Sequence, residues 1–174
     1  NKHRSFDFAS NIKTIEGKPF CIEKDRFGKD RCIRLLSWIE GRLWSYVNPI
    51  EKTLRKDLGS KTAIISDSLE KFKHPFSNRK IDWDISSSLW VEEHLKKFEV
   101  NKREILKNFI KDFKHNLPIY DSLKKSVIHN DINNNNIVVS NDRVNPKIAS
   151  IIDFGDSIYS QKINDLAITC SYGI

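Results

Sequence analysis

Two short polar stretches in the last third of the chain carry the side chains best suited to chemistry. The first reads His129-Asn130-Asp131-Ile132-Asn133-Asn134-Asn135-Asn136, a His-x-Asp-x-x-x-x-Asn pattern, and the second Ile151-Ile152-Asp153-Phe154-Gly155-Asp156. Moving a phosphoryl group from a nucleotide needs one group to orient the attacking hydroxyl and take its proton. It also needs oxygen ligands for the magnesium ions that bridge the phosphates. One carboxylate, one amide and a second carboxylate meet that need, and Asp131, Asn136 and Asp153 are spaced to supply them.

The flanking residues must bring the three together. Residues 126–128, 136–139 and 148–152 are rich in Val and Ile and read as strands, and the turn-rich 140–146 joins the last two as a hairpin. If Asp131 leads a loop and Asn136 enters a strand, the returning strand sets Asp153 beside Asn136. The three side chains then converge at one end.

Upstream, apolar-rich runs at 20–24 and 31–39 flank the turn residues 25–30, which include Gly28, and predict an antiparallel hairpin. Asn48-Pro49 predicts a helix start, with Asn as N-cap and Pro at the first helical position. Ile50, Leu54 and Leu58, then Ala63, Ile64, Leu69 and Phe72 beyond Gly59, predict two helices or one interrupted helix. Residues 73–88 contain His74-Pro75, Asn78 and Asp82-Trp83-Asp84 without a steady period, and read as a long ordered loop anchored by Trp83, with a helical turn or two at 90–97. The clearest helix is 101–116. Ile105, Leu106, Phe109, Ile110, Phe113 and Leu117 line one face, Lys107, Lys111 and Lys114 the other, and Pro118 is expected to end it.

Composition bounds the partners. With 39% hydrophobic and 30% charged residues, the 174-residue chain falls in the globular class. It has neither an apolar run long enough to span a membrane nor the apolar N-terminal run of a signal peptide, so no membrane partner is expected. Cys21, Cys32 and Cys170 are odd in number and lack Cys-x-x-Cys spacing, which suggests neither a disulfide framework nor a zinc site; with no glycosylation sequon either, a cytoplasmic location is expected. The formal charge is +7, and between His94 and Lys125 nine Lys and Arg face four acids. Scattered along a helix, these read as a solvated face and predict no specific nucleic-acid partner. A first residue other than Met, and an end at Gly173-Ile174 close behind the apolar Leu166, Ala167 and Ile168, suggest a fragment.

The stretch 127–167, from His129-Asn130-Asp131 through Ile152-Asp153-Phe154-Gly155-Asp156 to Asn164-Asp165-Leu166-Ala167, resembles the catalytic region of the aminoglycoside phosphotransferase and choline kinase family. Within that family it is most similar to the hydroxylysine-kinase-like branch. Residues 33–41, Ile33-Arg34-Leu35-Leu36-Ser37-Trp38-Ile39-Glu40-Gly41, resemble the family segment that crosses from the N-lobe to the helical C-lobe. The likeness covers the chain from Arg31 onward. It implies an α+β, protein-kinase-like fold, with a remnant of N-lobe strands and the hinge at 1–40 and a truncated, mostly helical C-lobe at 41–174.

The resemblance also implies an activity: transfer of the γ-phosphate of ATP or GTP, with Mg2+, to a hydroxyl of a small amine-bearing molecule of the hydroxylysine, amino-alcohol or aminoglycoside type. Asp131 would be the catalytic base, Asn136 and Asp153 the metal ligands, and His129 and Asp165 supports of the catalytic loop. Backbone groups of Leu36, Ser37, Trp38 and Ile39 would form the nucleotide hinge. Asp156 stands open between a substrate contact, a carboxylate behind the metal ligands and a surface residue. A Gly-rich phosphate loop and a strand Lys are not found before Arg31, and Lys13, Lys18 and Lys24 lie too close to the hinge to serve. Residues 1–174 alone are therefore expected to be inactive. His-Asn-Asp in place of His-Arg-Asp, and no Ala-Pro-Glu after Asp153, set the chain apart from protein kinases. The competing readings are a non-catalytic kinase-like remnant or binding module, a phosphohydrolase using Asp131, Asp153 and Asp156, and nucleic-acid binding through the basic helix. The residues do not choose between ATP and GTP, name the acceptor or set the oligomeric state.

Overall fold

The computed structural model describes residues 6–173. Residues 1–5 and 174, the outer ends of the lobes expected at 1–40 and 41–174, lie outside the described residues. In chain order the regular elements are β1 (Asn11–Ile12), β2 (Cys21–Lys24), β3 (Asp30–Ile33), β4 (Leu35–Leu36), β5 (Arg42–Leu43), α1 (Lys52–Leu69), α2 (Val100–Ser122), β6 (Lys125–Ile128), β7 (Ile137–Val139), β8 (Ile148–Ile151), β9 (Ile158–Gln161) and α3 (Ile163–Gly173). The fold class is α+β. The chain divides into two compact units, one running to Leu54 and including Asn134–Ile152, the other comprising Arg55–Asn133 and Asp153 onward.

In the first unit the expected hairpin is present, with β2 antiparallel to β3 in the register Cys21↔Ile33 to Lys24↔Asp30. Asp25 closes its turn: Oδ1 accepts the Phe27 and Lys29 amides at 2.9 and 3.0 Å, and Oδ2 the Arg31 guanidinium at 2.8 Å. The Arg31 bond, helped by the two amides, holds the Asp25 carboxyl below the usual carboxylate range. The run expected at 31–39 is split. Its second half forms β4 and pairs with β1, which the sequence did not disclose, in the register Asn11↔Leu36.

β5, β7 and β8 form an antiparallel sheet with β7 in the centre. Its apolar residues Ile137, Val139, Ile148 and Ile151, with Trp44 and Val47 after β5, are buried and make this unit's core. Gly41 lets β5 come this close: a Cβ there would lie 2.5 Å from both Val138 Cγ1 and the Val139 carbonyl oxygen.

In the second unit, α1 is one helix running straight through Gly59, where a Cβ would meet nothing. It begins at Lys52, three residues beyond Pro49, so Asn48 and Pro49 are not its N-cap and first helical residue. β6 and β9 pair antiparallel from Lys125↔Gln161 to Ile128↔Ile158. Ile128 and Ile158 bury against Ile81, which belongs to the segment read as a loop. That segment is built of 3-10 turns at Pro75–Asn78 and Ile85–Lys97. Its anchors are Ile81 and Asp84, both 7% exposed, whereas Trp83 is 59% exposed and anchors nothing inward.

α2 runs six residues past the expected end, with Pro118 inside its last turns. A proline this near the C-terminus removes a single helical amide, and the Leu123 N–H closes on the Tyr120 carbonyl at 3.1 Å. The inward stripe is Leu106, Ile110, Phe113, Leu117 and Tyr120, spaced by four and three, and the expected face residues Ile105 and Phe109 are exposed. Much of its basic charge is engaged within the unit: Lys102, Lys107 and Lys114 pair with Glu99, Glu104 and Glu92, while Arg103 donates to the Leu95, Lys96 and Phe98 carbonyls.

Candidate active site

β6 delivers the first polar loop. Ile128, fully buried, fixes the strand end, and the next two residues leave it with both amides captured by one carboxylate. The His129 N–H donates to Asp165 Oδ2 at 2.9 Å and the Asn130 N–H to Oδ1 at 2.8 Å. Asn130 turns the chain at φ 68°, in the left-handed region that Asn tolerates better than most residues. The Asp131 N–H then donates to His129 Nδ1 at 3.2 Å, so the ring carries its proton on Nε2. The His129 ring, 0% exposed, packs on Phe154 with centroids 4.6 Å apart and thereby joins the two polar loops. Asn133 Nδ2 donates to Asp131 Oδ1 at 2.7 Å, restricting rotation of the half-buried carboxylate.

Asp165 stands in the first turn of α3 and is itself buried. Burial pushes its carboxyl above the usual range, and the Asn130 and His129 amides pull it back. An exposed carboxylate would be satisfied by water. This one is placed where its oxygens accept two successive backbone amides.

In the second loop, Asp153 adopts φ 65° and caps a 3-10 turn at Phe154–Asp156, with Oδ1 accepting the Gly155 amide at 3.1 Å. A Cβ on Gly155 would stand 2.8 Å from that same oxygen, so glycine is what allows the carboxylate to fold back onto the turn. Asp153 Oδ2 takes no hydrogen bond among the described residues. Asp156 is half-buried at the end of the turn. The Arg79 guanidinium donates to the Gly155 carbonyl and, at 3.5 Å, to that of Ser157.

Asn136 and the hinge residues 36–39 belong to the first unit. Asn136 is half-buried just before β7, and its carbonyl accepts the amide of Ile152, the residue that precedes Asp153, at 2.9 Å. The Ser37 N–H is used by the Ser10 carbonyl and Ser37 Oγ accepts the Ser10 N–H, both at 2.8 Å, while Leu36 and Trp38 are exposed and Ile39 half-buried. Within its own unit, Asp153 leaves Oδ2 unengaged, and a carboxylate oxygen suits a hard cation such as Mg2+. Among the described residues no three His, Cys, Asp or Glu side chains gather to hold a metal.

Sequence reasoning passed over Asp84, Tyr120, Asn164 and Arg79. A signal existed for the first: Asp84 is a carboxylate set between Ile81 and Ile85 in a stretch with no period to carry it outward.

The chain's likeness to known proteins gives its family and its fold. Residues 17–174 match the APH phosphotransferase enzyme family, and the chain belongs to that family. It is 28% identical over 156 residues to hydroxylysine kinase of Bos taurus, covering 83% of this chain and 41% of that protein. To hydroxylysine kinase of Xenopus laevis it is 27% identical over 179 residues, covering 92% and 47%. The chain thus spans less than half the length of these relatives. Among solved structures, the GDP and kanamycin complex of APH(2") superposes with a TM-score of 0.67 at 16% identity, over 97% of this chain and 57% of that one. Amicoumacin kinase hAmiN, in complex with AMP-PNP and Ca2+, gives 0.61 at 17%, over 94% and 47%. Likeness at that identity is one of fold, and the fold is the protein-kinase-like α+β type expected.

Proposed function

We propose that the protein transfers the γ-phosphate of ATP or GTP to a hydroxyl of a small amine-bearing molecule, of the hydroxylysine, amino-alcohol or aminoglycoside type. The observation that carries this is the fixed loop around Asp131, in which Asp165 takes two successive amides and His129 Nδ1 takes a third. Such stiffness suits a group that must meet a hydroxyl in one orientation. The relatives named hydroxylysine kinase, and the neighbours solved with GDP, kanamycin or AMP-PNP, support the class of donor and acceptor.

In this reading Asp131 accepts the proton of the attacking hydroxyl, held by the Asn133 amide on one oxygen. His129 and Asp165 keep the loop in shape and exchange no proton with substrate. Asn136 and Asp153 would hold Mg2+, which when bound neutralises the charge of the phosphates. The backbone of 36–39 would receive the purine, and Asp156 would attract the acceptor's amine. Phosphates also need a Gly-rich loop and a strand Lys, which residues 1–174 do not display, so these residues alone should be inactive. The cytoplasm, where nucleoside triphosphates abound, is the matching compartment. No helix among the described residues is long and apolar enough to cross a membrane.

The test is a transfer assay on the native full-length protein with γ-labelled ATP and GTP against hydroxy-amino acids, amino alcohols and aminoglycosides. Label should appear on one hydroxyl-bearing amine. Release of free phosphate alone would revive a hydrolase, and no consumption of either nucleotide would favour the non-catalytic remnant.

A further inference from the structure

The segment between α1 and α2 contains an unusual group for a connection, a carboxylate in the interior. Asp84 is 7% exposed, and its hydrogen-bond partners among the described residues are all neutral. It accepts the Ser86 N–H at 3.1 Å, the Ser86 hydroxyl, the Ser160 hydroxyl at 3.0 Å and Asn164 Nδ2 at 3.4 Å. Asn164 is held from its other side as well, because the Tyr120 hydroxyl donates to Asn164 Oδ1 at 2.9 Å. The amide is therefore gripped at both ends, by α2 through Tyr120 and by the connecting segment through Asp84. Burial pushes the Tyr120 hydroxyl above its ordinary range, which keeps its proton in place as the donor.

Buried carboxylates without a cation are costly, and a plain core position would be filled better by an apolar residue. The use of this one lies in its next neighbour along α3. Asn164 is followed directly by Asp165, the residue that takes the His129 and Asn130 amides. Side chains one residue apart on a helix point about 100° apart. The first turn of α3 is thus clamped on one side by the Asp84 network while it reaches for the loop on the other. The same connecting segment reaches the second loop through Arg79, on the Gly155 carbonyl.

We propose that Asp84 is a positioning residue for phosphoryl transfer: through Asn164, and with Tyr120, it sets the first turn of α3 so that Asp165 holds the loop carrying Asp131. The proposal rests on the function given above. It makes residues 79–84 a brace for both polar loops, where a loop of no consequence would simply join two helices.

The experiment compares Asp84→Asn and Tyr120→Phe with wild type in the native full-length protein. One readout is amide exchange of His129 and Asn130 against Val127 and Ile158 in the β6–β9 pair; the other is kcat and nucleotide KM. Tyr120→Phe keeps the ring and loses one hydrogen bond, so it remains informative if Asp84→Asn fails to fold. Exchange at His129 and Asn130 should quicken about tenfold, the equilibrium factor of one lost hydrogen bond, with Val127 and Ile158 unchanged. The rate constant kcat should fall about tenfold or more from misplacement, with nucleotide KM held. Unchanged exchange at the loop overturns the proposal. So does equal loss of protection in the β6–β9 pair, which marks a general packing role, and so does a loosened loop with normal kcat. A wild-type protein that moves no phosphate refutes the function reading and leaves the exchange arm to decide the clamp by itself.

Discussion

Asp165→Asn sets two effects of the same carboxylate against each other. The side chain is isosteric, so packing is kept, but one of its two acceptors becomes an NH2 group. Either the His129 or the Asn130 amide, now bonded at 2.9 and 2.8 Å, must then face another donor in the interior. An unmet buried donor costs about 1–3 kcal/mol, which at about 2–4 °C per kcal/mol for a chain of this size is a fall in Tm of roughly 2–12 °C. Relief of the buried charge acts in the opposite direction, and pH separates the two. Burial raises the Asp165 carboxyl above 3.8, so the folded state binds that proton more tightly than the unfolded chain. The stability linked to it is present below 3.8 and lost as pH rises through the folded value, a dependence the Asn variant lacks. The Tm gap between wild type and variant should be widest in acid and narrower at neutral pH. Thermal unfolding by circular dichroism across pH 3–8 measures it. A variant as stable as wild type throughout, or a gap that widens with pH, refutes the account of Asp165 as a loop anchor.

Three further outcomes follow from the geometry. Lys124 and Lys162 hold the Glu70 carboxyl down to about 2, and Glu70 with Asp67 raises Lys162; Glu70→Gln should therefore lower Tm between about pH 5 and 10, with the gap closing as pH falls from 4.5 toward 2 and again above 10.5. A gap that persists at pH 2 would contradict this. Gly41→Ala should destabilise by about 1–3 kcal/mol, because the new methyl meets Val138 and the Val139 carbonyl at 2.5 Å, and denaturant titration should show it. Binding to double-stranded DNA should be weak, independent of sequence and abolished by moderate salt, since much of the basic charge of α2 is already paired; tight binding at high salt by fluorescence anisotropy would overturn it.

The two polar loops were legible because their residues are special in type: a His, two Asp and an Asn at fixed offsets, between runs of Val and Ile. The hairpin closed by Asp25 and the strands β6 to β8 were legible for the same reason, since turn chemistry and β-branched runs act locally. β9 was not, because it buries Ser160 and Gln161 and so lacks an apolar alternation. Trp83 was expected to anchor its loop, and the buried residue is its neighbour Asp84. A tryptophan is the better guess for an anchor by size, but Asp84 finds two donors on nearby Ser86 and two more, Ser160 and Asn164, from a distant part of the chain that no local pattern announces. Pro118 misled likewise: a proline one turn from a helix end costs a single amide bond and does not stop the helix.

The central claim, that Asp131 takes the proton while Asp153 serves the metal, is tested most directly by titrating Mg2+ against the transfer rate of Asp131→Asn and Asp153→Asn in the native full-length protein. Asp131→Asn should lower kcat by about 10²–10⁴-fold, as expected for loss of a general base, with the Mg2+ requirement and nucleotide affinity little changed. Asp153→Asn should demand more Mg2+ and weaken nucleotide-metal binding as well as turnover. Near-normal turnover by Asp131→Asn, or a raised Mg2+ requirement in that variant alone, would contradict the assignment.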